Sequence, residues 1–169
     1  AFVSDLLTKP TAELAVGLTI ALARNMRAGD WHVRSKGHDG WRAHLYGKSL
    51  DGSVVGLLGF GAVGRAIAAR ISGFGCRTLY FDRSPLLAKE EQYFSAVSTT
   101  LDNILGSSDF ILVCLPLNTE TRYLINAARI RQMKPGALLV NISRGSVVDE
   151  TAVADALEAQ HLAGYAADV

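Results

Sequence analysis

The residues whose types and positions suggest a binding site are three glycines and one acid. Gly59, Gly61 and Gly64 have G-x-G-x-x-G spacing, and Asp82 supplies a carboxylate. The first glycine of such a turn permits a tight bend, the second lets the backbone approach a pyrophosphate, and the third lets a helix pack closely on a strand. The pyrophosphate is then held by free N–H groups and the positive dipole end of that helix. The pattern predicts a dinucleotide site in which Asp82 accepts hydrogen bonds from the adenosine ribose.

The elements that this turn needs surround it in the required order. Apolar, β-branched residues 54–58 predict a buried strand before the glycines, and residues 65–73 after them suit a helix. Residues 77–81 predict a second strand, which ends at Asp82. This context favours a dinucleotide site over a plain βαβ turn whose glycines serve packing alone. Methyltransferase and flavin sites remain nearer alternatives, because they also place a strand-end acid on a ribose.

The remaining segments continue the alternation of strands and helices. Pro10 and Thr11 suit a helix start, Asp149 suits a helix N-cap, and residues 29–52 are polar, glycine-punctuated and predicted to form an irregular arm with exposed aromatics. Helices are predicted at residues 11–24, 101–106, 121–133 and 149–160, with a loop and short helix at 83–92; strands are predicted at 93–97, 110–116, 137–141 and 162–169. The alternation predicts an α/β fold, a Rossmann-type doubly wound parallel sheet with its ligand crevice at the carboxyl ends of the strands.

Composition narrows the classes of protein and of partner. A chain of 169 residues, 49% hydrophobic and 20% charged, suits one globular domain, and a net charge of +1 offers no electrostatic case for nucleic acid or an anionic membrane. We expect no membrane span, since no uncharged apolar run approaches the required length, and no signal peptide at the start of this sequence. Cys76 and Cys114 lie far apart in apolar stretches, and the four histidines show no metal spacing, so we expect no metal site and a reducing, cytoplasmic location.

Two further motifs, added to the glycine turn, carry a family resemblance. Residues 115–118 read L-P-L-N, and residues 141–150 read N-I-S-R-G-S-V-V-D-E. With them the chain resembles the D-2-hydroxyacid dehydrogenase family over essentially its whole length. Within that family, residues 5–15 (D-L-L-T-K-P-T-A-E-L-A) and the arm motif V-R-S…G-W…Y-G, residues 33–47, are most similar to phosphite (phosphonate) dehydrogenase.

The resemblance implies a domain organisation and a set of site residues. Residues 1–169 would form the NAD-binding domain of a two-domain enzyme, with 29–52 as a dimerisation arm and with the substrate-binding domain outside this chain. Arg144 would be catalytic, because a guanidinium offers paired N–H donors to a small anionic substrate. The alternative for Arg144 is a surface salt bridge. The implied cofactor-binding residues are Thr11, Gly59, Gly61, Ala62, Val63, Gly64, Asp82, Arg83, Leu115, Pro116, Ile142, Ser143 and Asp168.

The resemblance implies that these residues contact different parts of the cofactor. Residues 61–63 would contact the pyrophosphate, Leu115 and Pro116 the adenosine side, and Thr11 and Asp168 the nicotinamide end. The Asp82 carboxylate favours NAD because it would repel a 2′-phosphate, whereas Arg83 could receive part of that phosphate. We therefore expect NAD as cofactor with some tolerance of NADP.

The resemblance also implies an activity and an assembly. The whole protein would oxidise phosphite to phosphate while reducing NAD, with a glutamate and a histidine outside this chain completing the catalytic set. The alternatives are a dehydrogenase for a small 2-hydroxy acid such as glycerate or lactate, and a non-catalytic NAD-sensing module like the family's corepressors. This chain alone would bind cofactor without turnover. We expect a homodimer formed through residues 11–48, and neither nucleic acid nor membrane as a partner.

Overall fold

Six parallel strands form one sheet in the structure, a computed structural model that describes residues 4–38 and 40–169. The strands are β1 (Val54–Leu58), β2 (Arg77–Phe81), β3 (Ala96–Ser98), β4 (Phe110–Val113), β5 (Ala137–Asn141) and β6 (Leu162–Ala167). Their order is β3-β2-β1-β4-β5-β6, and every neighbouring pair is parallel. The strand order reverses between β1 and β4, which is the switch point where such sheets bind ligands. The predicted Rossmann-type doubly wound sheet is confirmed.

Helices cover both faces of this sheet. They are α1 (Ser4–Ala23), α2 (Met26–Lys36), α3 (Ala62–Ile71), α4 (Ala88–Phe94), α5 (Leu101–Ser107), α6 (Ala127–Gln132) and α7 (Glu150–Glu158). Neighbouring residues of one strand enter different cores: Leu57 packs in a cluster with α1 and α3, whereas Leu58 packs in a cluster with α5, α6 and α7. Burying each such leucine contributes about 1.5–3 kcal/mol, which is why β1 is apolar throughout and lies at the centre.

Two helices begin earlier than predicted. α1 begins at Ser4 and contains Pro10, so the predicted start at Thr11 is wrong. A proline has a φ suited to helix, and the carbonyl that loses its partner belongs to Leu6, an exposed residue near the helix start where water can bond to it. α3 begins at Ala62 rather than at residue 65, directly after Gly61 as its N-cap. The first turn of α3 therefore belongs to the glycine turn itself.

The predicted irregular arm is partly helical. Residues 29–36 belong to α2, which begins after Asn25 turns the chain in a left-handed conformation with φ 51°. An Asp30–Arg34 ion pair at i,i+4 spacing lies on this helix and supports it. The rest of the arm is irregular apart from a 3₁₀ turn at Ala43–Leu45, and its residue Asp39, like residues 1–3 of the predicted domain, lies outside the described part of the chain.

Other boundaries also differ from the predictions. Tyr93 and Phe94 belong to α4, so β3 begins only at Ala96. The predicted helix at 121–133 is reduced to α6, because the Thr121 hydroxyl bonds to the Pro116 carbonyl (2.6 Å) and holds this segment in a turn. β4 and β6 end at Val113 and Ala167, short of the predicted 116 and 169, and their last predicted residues form the loops of the crevice. The strands β1, β2 and β5 and the Asp149 N-cap of α7 are as predicted.

One helix of the described chain is long and apolar enough to cross a membrane by length and composition alone, over Leu6–Ala23 of α1. The core helix of a folded domain meets the same criteria, and 22% of this window is buried. Lys9 and Glu13 lie within it, and Ala12 and Ala15 pack in the core cluster that contains Phe60. This feature is weak evidence for a membrane span.

Candidate cofactor site

The three glycines of the turn meet different surroundings. Gly59 has φ 98°, and a Cβ there would lie 3.0 Å from the carbonyl of Cys114, so this bend requires glycine. A Cβ on Gly64 would lie 2.4 Å from the carbonyl oxygen of Gly59, so helix α3 approaches the turn too closely for a side chain. A Cβ on Gly61 would meet nothing within 4 Å. The first and third glycines serve packing, whereas the second faces open space.

The start of α3 opens onto that same space. Gly61 is the N-cap, and no side-chain hydrogen bond from the described part of the chain caps the first turn of the helix. The first N–H groups of an α-helix have no partner within the helix, and together with the helix dipole they favour an anion. An unobstructed approach over Gly61 and uncapped N–H groups fit a pyrophosphate. The residues present therefore suit the dinucleotide that the sequence predicts.

Asp82, at the end of the neighbouring strand β2, is hydrogen-bonded to the glycine turn. Its carboxylate accepts hydrogen bonds from the N–H of Phe60 (2.8 Å) and the N–H of Ser84 (3.0 Å). The Phe60 ring stacks on Tyr80 with 4.0 Å between the ring centroids, and the Arg65 guanidinium donates to the Phe60 carbonyl (3.0 Å). The acid lies half-buried beside the turn, and each carboxylate oxygen still has a lone pair for a ribose hydroxyl.

Loops after β4 and β5 form the opposite wall. The Ser143 hydroxyl donates to the carbonyl of Leu115, and a Cβ on Gly59 would lie 3.2 Å from the Leu115 side chain. The Ile142 N–H bonds to the Val113 carbonyl, and the Asp168 N–H bonds to the Asn141 carbonyl (3.0 Å). These bonds, together with the close approach of Leu115 to Gly59, bring residues after β1, β4, β5 and β6 to one edge of the sheet. Pro116 follows Leu115 there and is exposed.

Asn141 shapes the loop that carries Arg144. Its side-chain oxygen accepts from the N–H of Ser143 (3.0 Å), and its amide nitrogen donates to the carbonyl of Arg144 (3.1 Å). Asn141 is fully buried, whereas Arg144 is exposed, with a guanidinium nitrogen 2.7 Å from the Ser143 carbonyl oxygen. None of the ion pairs found among residues 4–38 and 40–169 involves Arg144. This geometry does not support the surface salt bridge that was the alternative for this residue.

Thr11 and Arg83 lie at the edges of the candidate site. Thr11 is half-buried on α1, next to Ala12, which packs in the cluster containing Phe60 and Ile142. The Arg83 guanidinium lies 2.9 Å from the Glu120 carboxylate, and both side chains are largely exposed, at 74% and 68%. Ala62 and Val63, in the first turn of α3, complete the set of predicted contacts.

Cysteine chemistry takes no part in the arrangement. Burial raises the pKa of the Cys114 thiol to about 12, and burial also raises the pKa of Cys76. Both thiols are free and protonated at neutral pH. Within the described residues, no group of three His, Cys, Asp or Glu side chains could hold a metal ion.

Three residues that shape this crevice were not predicted from the sequence: Phe60, Arg65 and Glu120. Asn141 was expected to line the crevice as part of the strand-end segment 141–144, and its N-x-S spacing with Ser143 is a local signal typical of a side-chain-to-backbone turn. Glu120 lies 37 residues from Arg83. No local pattern connects them, and only the folded sheet brings the two loops together.

The strand order, the glycine turn and the strand-end acid define a dinucleotide-binding domain of the Rossmann type. Residues 16–169 match the family described as D-isomer specific 2-hydroxyacid dehydrogenase, NAD binding domain. The chain belongs to this family, which confirms the resemblance at family level and NAD as the cofactor of this class of domain.

Two relatives illustrate the family. A glyoxylate reductase from Pyrococcus furiosus is 42% identical over 98% of this chain and 50% of its own length. A glycerate dehydrogenase from Hyphomicrobium methylovorum is 37% identical over 96% of this chain and 51% of its own length. The chain therefore spans about half the length of these curated relatives. Their names refer to glyoxylate and glycerate, so they support the family and not the finer expectation of a phosphite dehydrogenase.

Solved structures share the fold. A putative D-isomer specific 2-hydroxyacid dehydrogenase from Polaromonas sp. JS6 66 is 36% identical, with a TM-score of 0.92 over 98% of this chain and 52% of that one. A D-isomer specific 2-hydroxyacid dehydrogenase from Lactobacillus delbrueckii ssp. bulgaricus, in an NAD-complexed form, is 26% identical, with a TM-score of 0.86 over 95% of this chain and 49% of that one. The architecture described here is thus that of a cofactor domain within a longer enzyme fold.

Proposed function

We propose that this chain is the cofactor-binding domain of a dehydrogenase that transfers hydride between NAD and a small anionic substrate. The observation that carries the proposal is the open space over Gly61, which lies at the uncapped start of α3 and beside Asp82. A plain packing turn has no need of that space, since Gly59 and Gly64 already account for the close contacts. The relatives' names support the same class of activity for the longer protein.

The cofactor would lie along the carboxyl edge of the sheet. We assign the pyrophosphate to residues 61–63 and the adenosine ribose to Asp82 and Arg83, with Gly59 and Gly64 shaping the turn. The adenosine side is assigned to Leu115 and Pro116, and the nicotinamide end to Thr11, Ile142, Ser143 and Asp168. When bound, NAD supplies the hydride acceptor; the residues of this chain supply orientation and electrostatics.

Arg144 is assigned to the substrate. Its exposed guanidinium lies on a loop held by the buried Asn141 amide, so the charge is carried by a fixed backbone. A guanidinium offers paired N–H donors to an oxyanion and stabilises negative charge that develops during reaction. The acid/base residues and most of the substrate pocket belong, in this proposal, to parts of the enzyme outside this chain.

Two substrates are candidates, and each rests on a different observation. Phosphite is proposed from the likeness of residues 5–15 and of the arm motif to phosphite dehydrogenase. A small 2-hydroxy acid or its 2-oxo counterpart is the second candidate, favoured by relatives named for glyoxylate and glycerate. Both are small oxyanions that Arg144 can hold, so the cofactor domain does not discriminate between them.

The test is a steady-state assay of the full-length protein. NAD reduction is followed with phosphite, glycerate or lactate, and NADH oxidation with glyoxylate. Turnover of phosphite above all other substrates supports the first candidate, and preference for the carbon acids supports the second. Arg144→Gln is expected to lower kcat/KM at least about a hundredfold, as for other preorganised charge-stabilising groups, with NAD affinity within twofold. NAD binding without turnover of any substrate would favour the non-catalytic, NAD-sensing alternative and refute the proposed activity.

We further propose that the protein is a homodimer formed through residues 11–48. Trp31, Trp41 and Tyr46 are 61%, 74% and 73% exposed, and exposed aromatics of this kind are enriched at protein interfaces. Trp41 and Tyr46 also contact each other edge to face, with centroids 5.7 Å apart, which forms a small aromatic surface.

Light scattering tests the dimer. The double variant Trp31→Ser, Trp41→Ser should run as a monomer, whereas Tyr93→Ser, which removes an aromatic that is 80% exposed on α4, should stay dimeric. A monomeric wild type would contradict the proposal. The free cysteines and the net charge of +1 support a cytoplasmic protein without nucleic-acid or membrane partners, which we also propose.

A further inference from the structure

We propose that Glu120 is a specificity-determining residue, which disfavours NADP by engaging the guanidinium of Arg83. This inference rests on the proposed function, because it concerns the adenosine end of the same site. The Arg83–Glu120 ion pair (2.9 Å) joins the loop after β2 to the loop after β4. β2 and β4 are the two neighbours of β1, so the pair connects loops on both sides of the strand that leads into the glycine turn.

Arg83 is a cation available to a 2′-phosphate in this crevice. It follows Asp82 directly, and the Asp82 carboxylate is held beside the turn by two backbone N–H groups. The nearby Arg65 guanidinium donates the N–H of Nε to the Phe60 carbonyl (3.0 Å). A phosphate on the 2′ position would therefore approach Arg83, which is already paired with Glu120.

The loop of Glu120 is held in place by its own hydrogen bonds. The Asn118 side-chain oxygen accepts from the N–H groups of Glu120 and Thr121, each at 2.9 Å. The Thr121 hydroxyl bonds back to the Pro116 carbonyl (2.6 Å). The backbone position from which the carboxylate reaches Arg83 is thus fixed by the turn, so the charge can be removed without changing the loop.

A 2′-phosphate would meet two obstacles here. It carries one to two negative charges at neutral pH, must compete with Glu120 for Arg83, and is repelled by the carboxylate of Asp82. NAD lacks this phosphate and experiences neither effect. An ion pair as exposed as this one changes an equilibrium constant by at most about fivefold. We expect Glu120→Gln to strengthen NADP binding about two- to fivefold and to change NAD binding less than twofold.

Calorimetric titration of the full-length protein with NAD and NADP at low salt tests the inference. Glu120→Gln preserves side-chain size and removes the charge. Glu158→Gln is the matched control, because it changes the net charge equally from the exposed last residue of α7, a helix that leads back to the amino end of β6. The control should leave both affinities within experimental error of wild type.

A double-mutant cycle assigns the effect to the pair. In an Arg83→Gln background, Glu120→Gln should no longer strengthen NADP binding. An equal gain in that background would show direct repulsion and would overturn the role given to Arg83. Unchanged NADP affinity in the single variant, with NAD still bound, would refute the role of Glu120 alone. Failure of the wild type to bind either cofactor would instead refute the proposed function.

Discussion

Gly61→Ala and Gly64→Ala are matched substitutions that separate ligand space from a packing contact within one turn. The new methyl at position 61 would meet nothing within 4 Å, and Gly61 has an ordinary φ of −71°. The new methyl at position 64 would lie 2.4 Å from the carbonyl oxygen of Gly59, which is backbone and cannot rotate away. The first change should therefore affect binding, and the second should affect folding.

The expected changes in stability differ accordingly. Overpacking of this kind costs about 1–3 kcal/mol, and each kcal/mol corresponds to about 2–4 °C in a domain of this size. Gly64→Ala should lower Tm by about 2–12 °C. For Gly61→Ala, a weaker N-cap costs less than about 1 kcal/mol, and the stiffer unfolded chain returns about 0.4–1 kcal/mol. Its Tm should stay within about 3 °C of wild type.

Cofactor affinity, by contrast, should be lowered by Gly61→Ala. A methyl on Gly61 holds the pyrophosphate away from the N–H groups of α3, and a hydrogen bond to a charged group contributes about 1.5–3 kcal/mol. Losing one such bond weakens NAD binding about ten- to a hundredfold. Thermal unfolding without cofactor and calorimetric titration with NAD measure the two effects separately. Unchanged NAD affinity in Gly61→Ala, or a loss of Tm as large as that of Gly64→Ala, would refute the assignment of this space to a ligand.

Two further substitutions test the acid beside the turn and an ion pair at the other edge of the sheet. Asp82→Ala should weaken NAD binding and raise the NADP-to-NAD affinity ratio in titrations. An unchanged ratio would remove Asp82 from the ribose site. The same substitution should also lower Tm, because the Phe60 N–H loses its acceptor. Burial would raise the pKa of Asp109, but hydrogen bonds from Lys134 and a backbone N–H outweigh it and lower that pKa. The carboxylate therefore stabilises the fold above its unfolded pKa and loses this contribution as pH falls. Asp109→Asn should be less stable than wild type at pH 7, and the difference should shrink between about pH 5 and pH 3. Parallel Tm profiles over that range would contradict this reasoning.

Local sequence patterns were enough to predict the elements that are decided by short-range chemistry. β1, β2 and β5 each have an apolar, buried centre, and their bounds match the prediction because an interior parallel strand has no solvent-facing side to blur the pattern. Asp149 was recognised as an N-cap because its side chain satisfies an N–H three residues away, at Ala152. The order of elements around the glycine turn was likewise sufficient to predict a doubly wound sheet with its crevice at the carboxyl edge.

Long-range contacts established which polar groups meet and where helices begin or end. α1 continues through Pro10, and residues 121–123 form a turn, because contacts with other parts of the fold and with solvent outweigh local propensity. The bond between Asp82 and the Phe60 N–H, and the pairing of Arg83 with Glu120, join residues 22 and 37 positions apart. Local patterns were sufficient to predict the class of ligand, since the glycine spacing and the strand-end acid each lie within a short segment. Two features depend on distances across neighbouring strands, which no local pattern contains. One is the difference between Gly59 and Gly64, which pack closely, and Gly61, which faces open space; the other is the pairing of Arg83 with Glu120.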